Sequence, residues 1–118
     1  MSRSAAQILD LRRALEQSSA PSSDFDLNPE TLLPPDRKLR AAGVLVAFQE
    51  RDSALELILT KRSSALRHHP GQIAFPGGKQ DPGDVDCTAT ALREAREEIG
   101  LPSESVEVLG TLPPHETV

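Results

Sequence analysis

The spacing of apolar residues changes character three times along this chain. Between residues 4 and 17, Ile8, Leu11 and Leu15 recur at three- and four-residue intervals behind Ser4. That period predicts a short amphipathic helix with Ser4 as its N-cap. Residues 18 to 36 lose the period to Ser18, Ser19, Pro21, Asn28, Pro29, Pro34 and Pro35, which make a loop or linker. Residues 1–38 therefore read as a helix-and-linker extension, and 39–118 as the body of the protein.

The body opens on an unbroken apolar run from Gly43 to Phe48, the pattern of a buried strand. A polar turn over Gln49–Ser53 and a second apolar stretch over Leu55–Thr60 complete a predicted hairpin. Residues 61 to 84 are rich in Pro and Gly, with room for only a short strand at Gln72–Phe75. A helix follows over Asp86–Ile99, with Asp86 capping its start, Gly100 taking the left-handed position at its end and Pro102 stopping it. Ser105–Leu109 reads as a further strand.

That helix concentrates charge. With Glu94 set at zero and about 100° per residue, Glu98 falls near ~40° and Glu97 near ~300°, so three carboxylates fan from one side. Thr88, Leu92, Ala95 and Ile99 fall between ~100° and ~160°, which predicts the core-facing stripe. Glu94 and Glu98, four residues apart, repel by a few tenths of a kcal/mol in an isolated helix. Arg93 and Arg96 offset part of this, and a divalent cation held by hard carboxylate oxygens offsets more. Ahead of the helix, Gly77-Gly78 allows a ligand to approach the backbone closely. No Gly-Lys-Ser/Thr follows it, so a P-loop is excluded.

Composition narrows the chemistry. The net charge is -5, with 13 Lys and Arg against 18 Asp and Glu, which opposes general binding to a nucleic-acid backbone. Three Phe with no Trp or Tyr exclude a stacking platform for single strands. The single Cys87 excludes an internal disulfide and a Cys-based zinc site, and at the start of the helix it reads as a packed structural thiol. No apolar run approaches the ~18 residues of a membrane span, and the first residues lack the apolar core of a signal peptide, so a cytoplasmic setting is expected. His68 and His69 read as loop residues, since Mg²⁺ disfavours nitrogen ligands.

One stretch carries a family resemblance. From Gly78 the chain runs five residues to Asp84, then eight more to Arg93-Glu94-Ala95-Arg96-Glu97-Glu98-Ile99-Gly100-Leu101. This resembles the Nudix box, in which Gly is followed after five residues by Glu, after seven more by Arg-Glu, and then by Glu-Glu and Gly. Asp84 stands in place of the first Glu, and the spacer before Arg93 is one residue longer. Upstream, Leu59-Thr60-Lys61-Arg62-Ser63, then Arg67, Gly71 and Phe75-Pro76-Gly77-Gly78 resemble the signature of the coenzyme A diphosphatases. That subgroup commonly shows both departures from the general box, and its signature region usually has a His where His69 falls.

The resemblance implies an α/β (α+β) fold, a mixed sheet carrying the box as loop–helix–loop. It implies Mg²⁺- or Mn²⁺-dependent hydrolysis of the pyrophosphate bond of coenzyme A or acyl-coenzyme A, giving 3′,5′-ADP and the 4′-phosphopantetheine product. Glu94, Glu97 and Glu98 match the metal-binding and catalytic carboxylates, with Glu94 as water-orienting base. The Gly77 carbonyl and Asp84 join the ligand set, and Arg93 holds Glu97 or another carboxylate in place. Lys61, Arg62, Arg67 and Gly78 fall on the substrate side. Other substrates of the same chemistry, such as ADP-ribose or a nucleotide sugar, are the nearest alternative, and an inactive binding or assembly segment is a further one. A complete fold of this family continues beyond residue 118, so the rest of the sheet is expected from a second chain, as in a homodimer, or from a longer polypeptide.

Overall fold

The computed structural model describes residues 2–17, 21–23, 39–61 and 71–116. Its elements are α1 (Arg3–Glu16), β1 (Ser22–Ser23), β2 (Ala42–Val44), β3 (Ala47–Arg51), β4 (Ala54–Ile58), β5 (Thr60–Lys61), β6 (Ile73–Ala74), β7 (Gly77–Lys79), α2 (Cys87–Ile99), a 3-10 turn (Ser103–Ser105) and β8 (His115–Glu116). Helices and short ladders together make the α+β class expected from the sequence. Of residues 18 to 36, the stretch read as loop or linker, all but 21–23 lie outside the described residues.

Three antiparallel ladders knit the centre. β2 pairs with β7, β3 with β4, and β5 with β6, while β1 and β8 pair in parallel. The β2–β7 ladder is prolonged at both ends, by Leu45 N–H donating to the Pro76 carbonyl at 2.8 Å and Gln80 N–H to the Ala41 carbonyl at 3.0 Å. The predicted Gly43–Phe48 strand is therefore split: its first half pairs with the Gly-Gly segment, its second half with β4. The Gly77-Gly78 stretch, read as loop, is itself a strand. Glycine weakens an isolated strand, but here it lets two backbones and a side chain meet.

The hairpin is tighter than its polar turn suggested. Arg51 opposes Ala54, leaving Asp52 and Ser53 as a two-residue connection. Both have positive φ, 51° and 64°, the backbone that a turn matched to strand twist requires. A contact from far upstream supports the unusual Ser53 conformation: the Ser4 N–H donates to the Ser53 carbonyl at 2.7 Å. Ser4 is accordingly buried, and the N-cap is Ser2, whose hydroxyl accepts from Ala5 N–H at 3.1 Å. The capping residue thus sits two positions earlier than the periodicity indicated, because the first-turn amide of Ser4 is satisfied by the hairpin. Gln7 Oε1 accepts from Leu55 N–H at 3.0 Å, and Arg12 pairs with Glu107 at 2.7 Å, so α1 is docked on the body.

Helix α2 packs on β2 and β7. Its buried residues are Thr90, Ala91 and Ala95, of which only Ala95 belongs to the predicted stripe. Thr88 and Leu92 are half-buried and Ile99 is exposed. The cause is Gly43: a Cβ there would collide with the Cys87 carbonyl oxygen and lie 2.9 Å from Ala91 N and Thr90 Cβ. So close a crossing selects small residues over bulky ones at the contact. Cys87, expected to be packed, is exposed.

Only one side of the central strands is covered by α2 among the described residues. Val44, Val46, Phe48, Leu57 and Leu59 are exposed, against the expectation of a buried first strand. The reason is the two-residue period of a strand: when Gly43 faces the helix, Val44 faces away. Ser105–Leu109 does not form the predicted strand. Its start belongs to the 3-10 turn, and the rest pairs with no strand among the described residues. No helix among the described residues is long and apolar enough to cross a membrane.

The close crossing is testable. Gly43→Val should lower unfolding free energy by about 3 kcal/mol through overpacking. Gly83→Ala, where an added Cβ meets nothing within 4 Å, should change it by less than about 0.5 kcal/mol. Urea denaturation of the two variants side by side gives the comparison.

Candidate active site

The loop between β7 and α2 is folded by its own side chains. Asp84 N–H donates to the Asp81 carbonyl at 2.9 Å, and Asp81 N–H returns a bond to Asp84 Oδ2 at 2.9 Å. Gln80 Nε2 donates to the Asp84 carbonyl at 3.1 Å. Asp and Gly residues favour such turns because short acidic side chains bond nearby backbone. The helix then starts on Asp86, whose Oδ1 accepts from Ala89 N–H at 2.8 Å, and ends on Gly100 at φ 69°. Both caps are those the sequence predicts.

Arg93 joins this loop to the helix carboxylates. Its Nε and Nη2 reach Asp84 at 3.1 and 3.0 Å, and Nη2 also donates to the Lys79 carbonyl at 3.1 Å. Nη2 lies 3.5 Å from Asp81 Oδ2. On the other side, Nη1 donates to Glu94 Oε1 at 3.1 Å and Glu97 Oε2 at 3.2 Å. The planar fork of a guanidinium can serve several acceptors at once, which a lysine ammonium does less selectively. One cation therefore spans the strand end, the loop and two of the three helix carboxylates.

Burial grades the acidic groups. The Asp84 side chain is 8% exposed, Glu94 19% and Glu97 59%. Glu98 is exposed in the last turn of the helix. Glu94 lies directly against β7: a Cβ on Gly78 would come within 2.6 Å of its carboxyl carbon. A side chain at Gly78 would therefore push the Glu94 carboxyl group out of this position. Gly77 is restricted more firmly, by the backbone of the pairing strand, since a Cβ there would lie 2.5 Å from the Gly43 carbonyl oxygen.

The Arg93 hydrogen bonds hold the Asp84 carboxyl at about 2, well below its ordinary 3.8, helped by the Asp81 amide and the Thr90 hydroxyl and opposed by partial burial. Reciprocally, Asp84 first and Glu94 next hold Arg93 more firmly protonated than usual, again against burial.

Of the remaining expected site residues, Lys61 ends β5 and is exposed. Arg62 and Arg67, with His68 and His69, lie outside the described residues. Among the described residues no three His, Cys, Asp or Glu side chains already converge on a common point. Glu94, Glu97 and Glu98 nonetheless offer only hard oxygen donors within little more than one turn, the donor chemistry that suits Mg²⁺ or Mn²⁺. Sequence reasoning missed Thr90, Asp81 and the Lys79 carbonyl. The Asp81-Pro82-Gly83-Asp84 turn signal could have placed Asp81 beside Asp84, but Thr90 gave no signal of its own.

The clamp has a definite acid signature. Because the Asp84 carboxyl is depressed in the folded protein, its contribution is full above pH 3.8 and is lost as pH falls through about 2. Asp84→Asn should lower stability at neutral pH and remove that component of the acid-induced loss. Urea midpoints of wild type and variant at neutral pH and at two points in that window would show convergence as pH falls.

Comparison with known proteins agrees with the box. The model of the NUDIX domain family matches residues 37–118. The chain is 51% identical over 79 residues to a protein of Enterobacter sp. strain 638, covering 67% of this chain and 41% of that one. It is 44% identical over 113 residues to one of Citrobacter koseri, covering 88% and 56%, and 49% identical over 92 residues to one of Klebsiella aerogenes, covering 78% and 75%. All three carry the description "uncharacterized Nudix hydrolase NudL". The chain thus spans about half the length of the first two relatives. With a loop–helix–loop box built around Arg93 and a family match over most of its length, the chain belongs to the Nudix family.

Proposed function

We propose that the chain carries the carboxylate side of a metal-dependent pyrophosphohydrolase acting on a nucleoside diphosphate joined to a second group, and that this substrate is coenzyme A or an acyl-coenzyme A. The supporting observation is the placement of Arg93, which holds Glu94 and Glu97 beside the Gly77-Gly78 strand. The coenzyme A assignment rests on the resemblance of Leu59 to Gly78 to the diphosphatase signature.

Nudix enzymes generally use divalent metal ions. Here Glu94, Glu97, Glu98 and the Gly77 carbonyl would hold Mg²⁺ or Mn²⁺. When bound, the ion supplies charge neutralisation for the crowded pyrophosphate and lowers the pKa of an attacking water. The chain's own residues do the rest. Glu94, half-buried against Gly78, orients that water and accepts its proton. Arg93 donates to both Glu94 and Glu97 and limits the rotamers they can take, so less ordering is needed when substrate arrives. Asp84 enters the site through Arg93, since its oxygens already accept from Arg93, Thr90 and the Asp81 amide. Lys61, Arg62 and Arg67 contact the substrate phosphates, arginine in the bidentate manner that suits phosphate oxygens.

The assay is release of 3′,5′-ADP from coenzyme A with Mn²⁺, run beside ADP-ribose and a nucleotide sugar. Coenzyme A should be the preferred substrate, and Glu98→Gln should reduce turnover by roughly 100-fold. A faster rate with ADP-ribose would move the substrate assignment. Equal turnover by Glu98→Gln would overturn the carboxylate mechanism.

A further inference from the structure

Thr90 is fully buried. It occupies the point where α2 crosses β2, since a Cβ on Gly43 would come within 2.9 Å of the Thr90 Cβ. Its hydroxyl lies 3.0 Å from Asp84 Oδ2 and 3.1 Å from the Asp86 carbonyl oxygen. A hydroxyl has one proton, so it donates to one of these at a time. The Asp86 carbonyl is the bond any helical Thr can make to the preceding turn. The Asp84 carboxylate is ionised, and a bond to a charged acceptor is the stronger of the two. Asp84 is the residue on which Arg93 places both Nε and Nη2, and the same Arg93 places Nη1 on Glu94 and Glu97.

We infer that Thr90 is a positioning residue for the helix carboxylates, acting through its hydroxyl on Asp84 and through Asp84 on Arg93. This inference rests on the hydrolase reading given above, and it goes beyond it by assigning a role to a buried side chain that touches no substrate. The chain of contacts is continuous: strand β2 at Gly43, Thr90, Asp84, Arg93, then Glu94 and Glu97. Thr90 therefore ties the sheet to the orientation of the two carboxylates. Val fits the same space but donates no proton, which leaves Asp84 with one constraint fewer. A carboxylate free to turn on its Cα–Cβ bond holds the guanidinium less rigidly, and Glu94 and Glu97 lose a fixed partner.

The test compares Thr90→Val with Thr90→Ser in the whole chain. Thr90→Val should lower kcat by roughly 10- to 100-fold with KM changed far less, the usual scale for removing a partner of a site ligand. Thr90→Ser, which keeps the hydroxyl, should recover most of that loss. A readout without metal or substrate is the solvent exchange of the Arg93 Nε–H, followed by nitrogen NMR. It should quicken about tenfold in Thr90→Val and return towards wild type in Thr90→Ser. In an Asp84→Asn background the Thr90→Val effect on exchange should disappear, because the route runs through Asp84. Thr90→Ala provides the same comparison if the Val variant melts. Wild-type exchange in Thr90→Val, or equal damage from Thr90→Ser, would overturn the inference and assign Thr90 to packing alone. A wild-type chain with no hydrolase activity whose Arg93 exchange still responds to Thr90→Val would overturn the hydrolase reading and leave the Thr90–Asp84–Arg93 coupling standing.

Discussion

The placement of one guanidinium organises the centre of this protein. Arg93 has to be charged, and it has to find acceptors for its donors while three-quarters covered. It finds them on the strand end at Lys79, in the loop at Asp81 and Asp84, and on its own helix at Glu94 and Glu97. Taking any of these elements away would leave a partly buried charge short of partners, a costly state. The same contacts relieve the repulsion among the helix carboxylates. Stability of the loop–helix–loop unit and readiness of its acidic face are therefore one arrangement rather than two.

Backbone proximity makes that arrangement reachable. Gly43 lets α2 approach β2, Gly77 lets β7 approach β2, and Gly78 leaves space for the Glu94 carboxyl group. Each glycine has a different neighbour, and none of the three has a positive φ. Their requirement is room rather than torsional freedom. Small residues on the facing side, Thr90, Ala91 and Ala95, complete the contact. The chain thus joins its sheet to its helix with little large apolar burial among the described residues, and its larger side chains, such as Val44 and Phe48, face away from α2.

How much of this could be read from residues alone varied by element. The α2 boundaries and both caps followed from Asp86, Gly100 and Pro102, since capping depends on hydrogen bonds within one turn. The hairpin was legible from its apolar runs, and the short β6 from its position in the Pro- and Gly-rich stretch. The buried side of α2 was legible only in part: Ala95 is buried as its position indicates, but hydrophobicity favoured Leu92 and Ile99 while the contact with Gly43 selected Thr90 and Ala91 by size. The N-cap of α1 moved from Ser4 to Ser2 because a carbonyl some fifty residues along the chain satisfies the Ser4 amide. Ser105–Leu109 had strand-forming residues but no pairing strand. Of the candidate site, the order of Glu94, Glu97 and Glu98 around the helix and a holding role for Arg93 were readable from spacing and the family pattern.

The order of residues was therefore enough to specify a capped helix bearing three carboxylates behind a Gly-Gly segment, because those features depend on neighbours within a turn or two. It also carried the family pattern. Folding decided what each group does there: that Gly77-Gly78 is a paired strand, that Asp84 faces Arg93 and Thr90, and that Arg93 spans five acceptor groups at once. Those outcomes depend on how closely β2, β7 and α2 approach, a distance set by atoms far apart in the chain, and no local period encodes it.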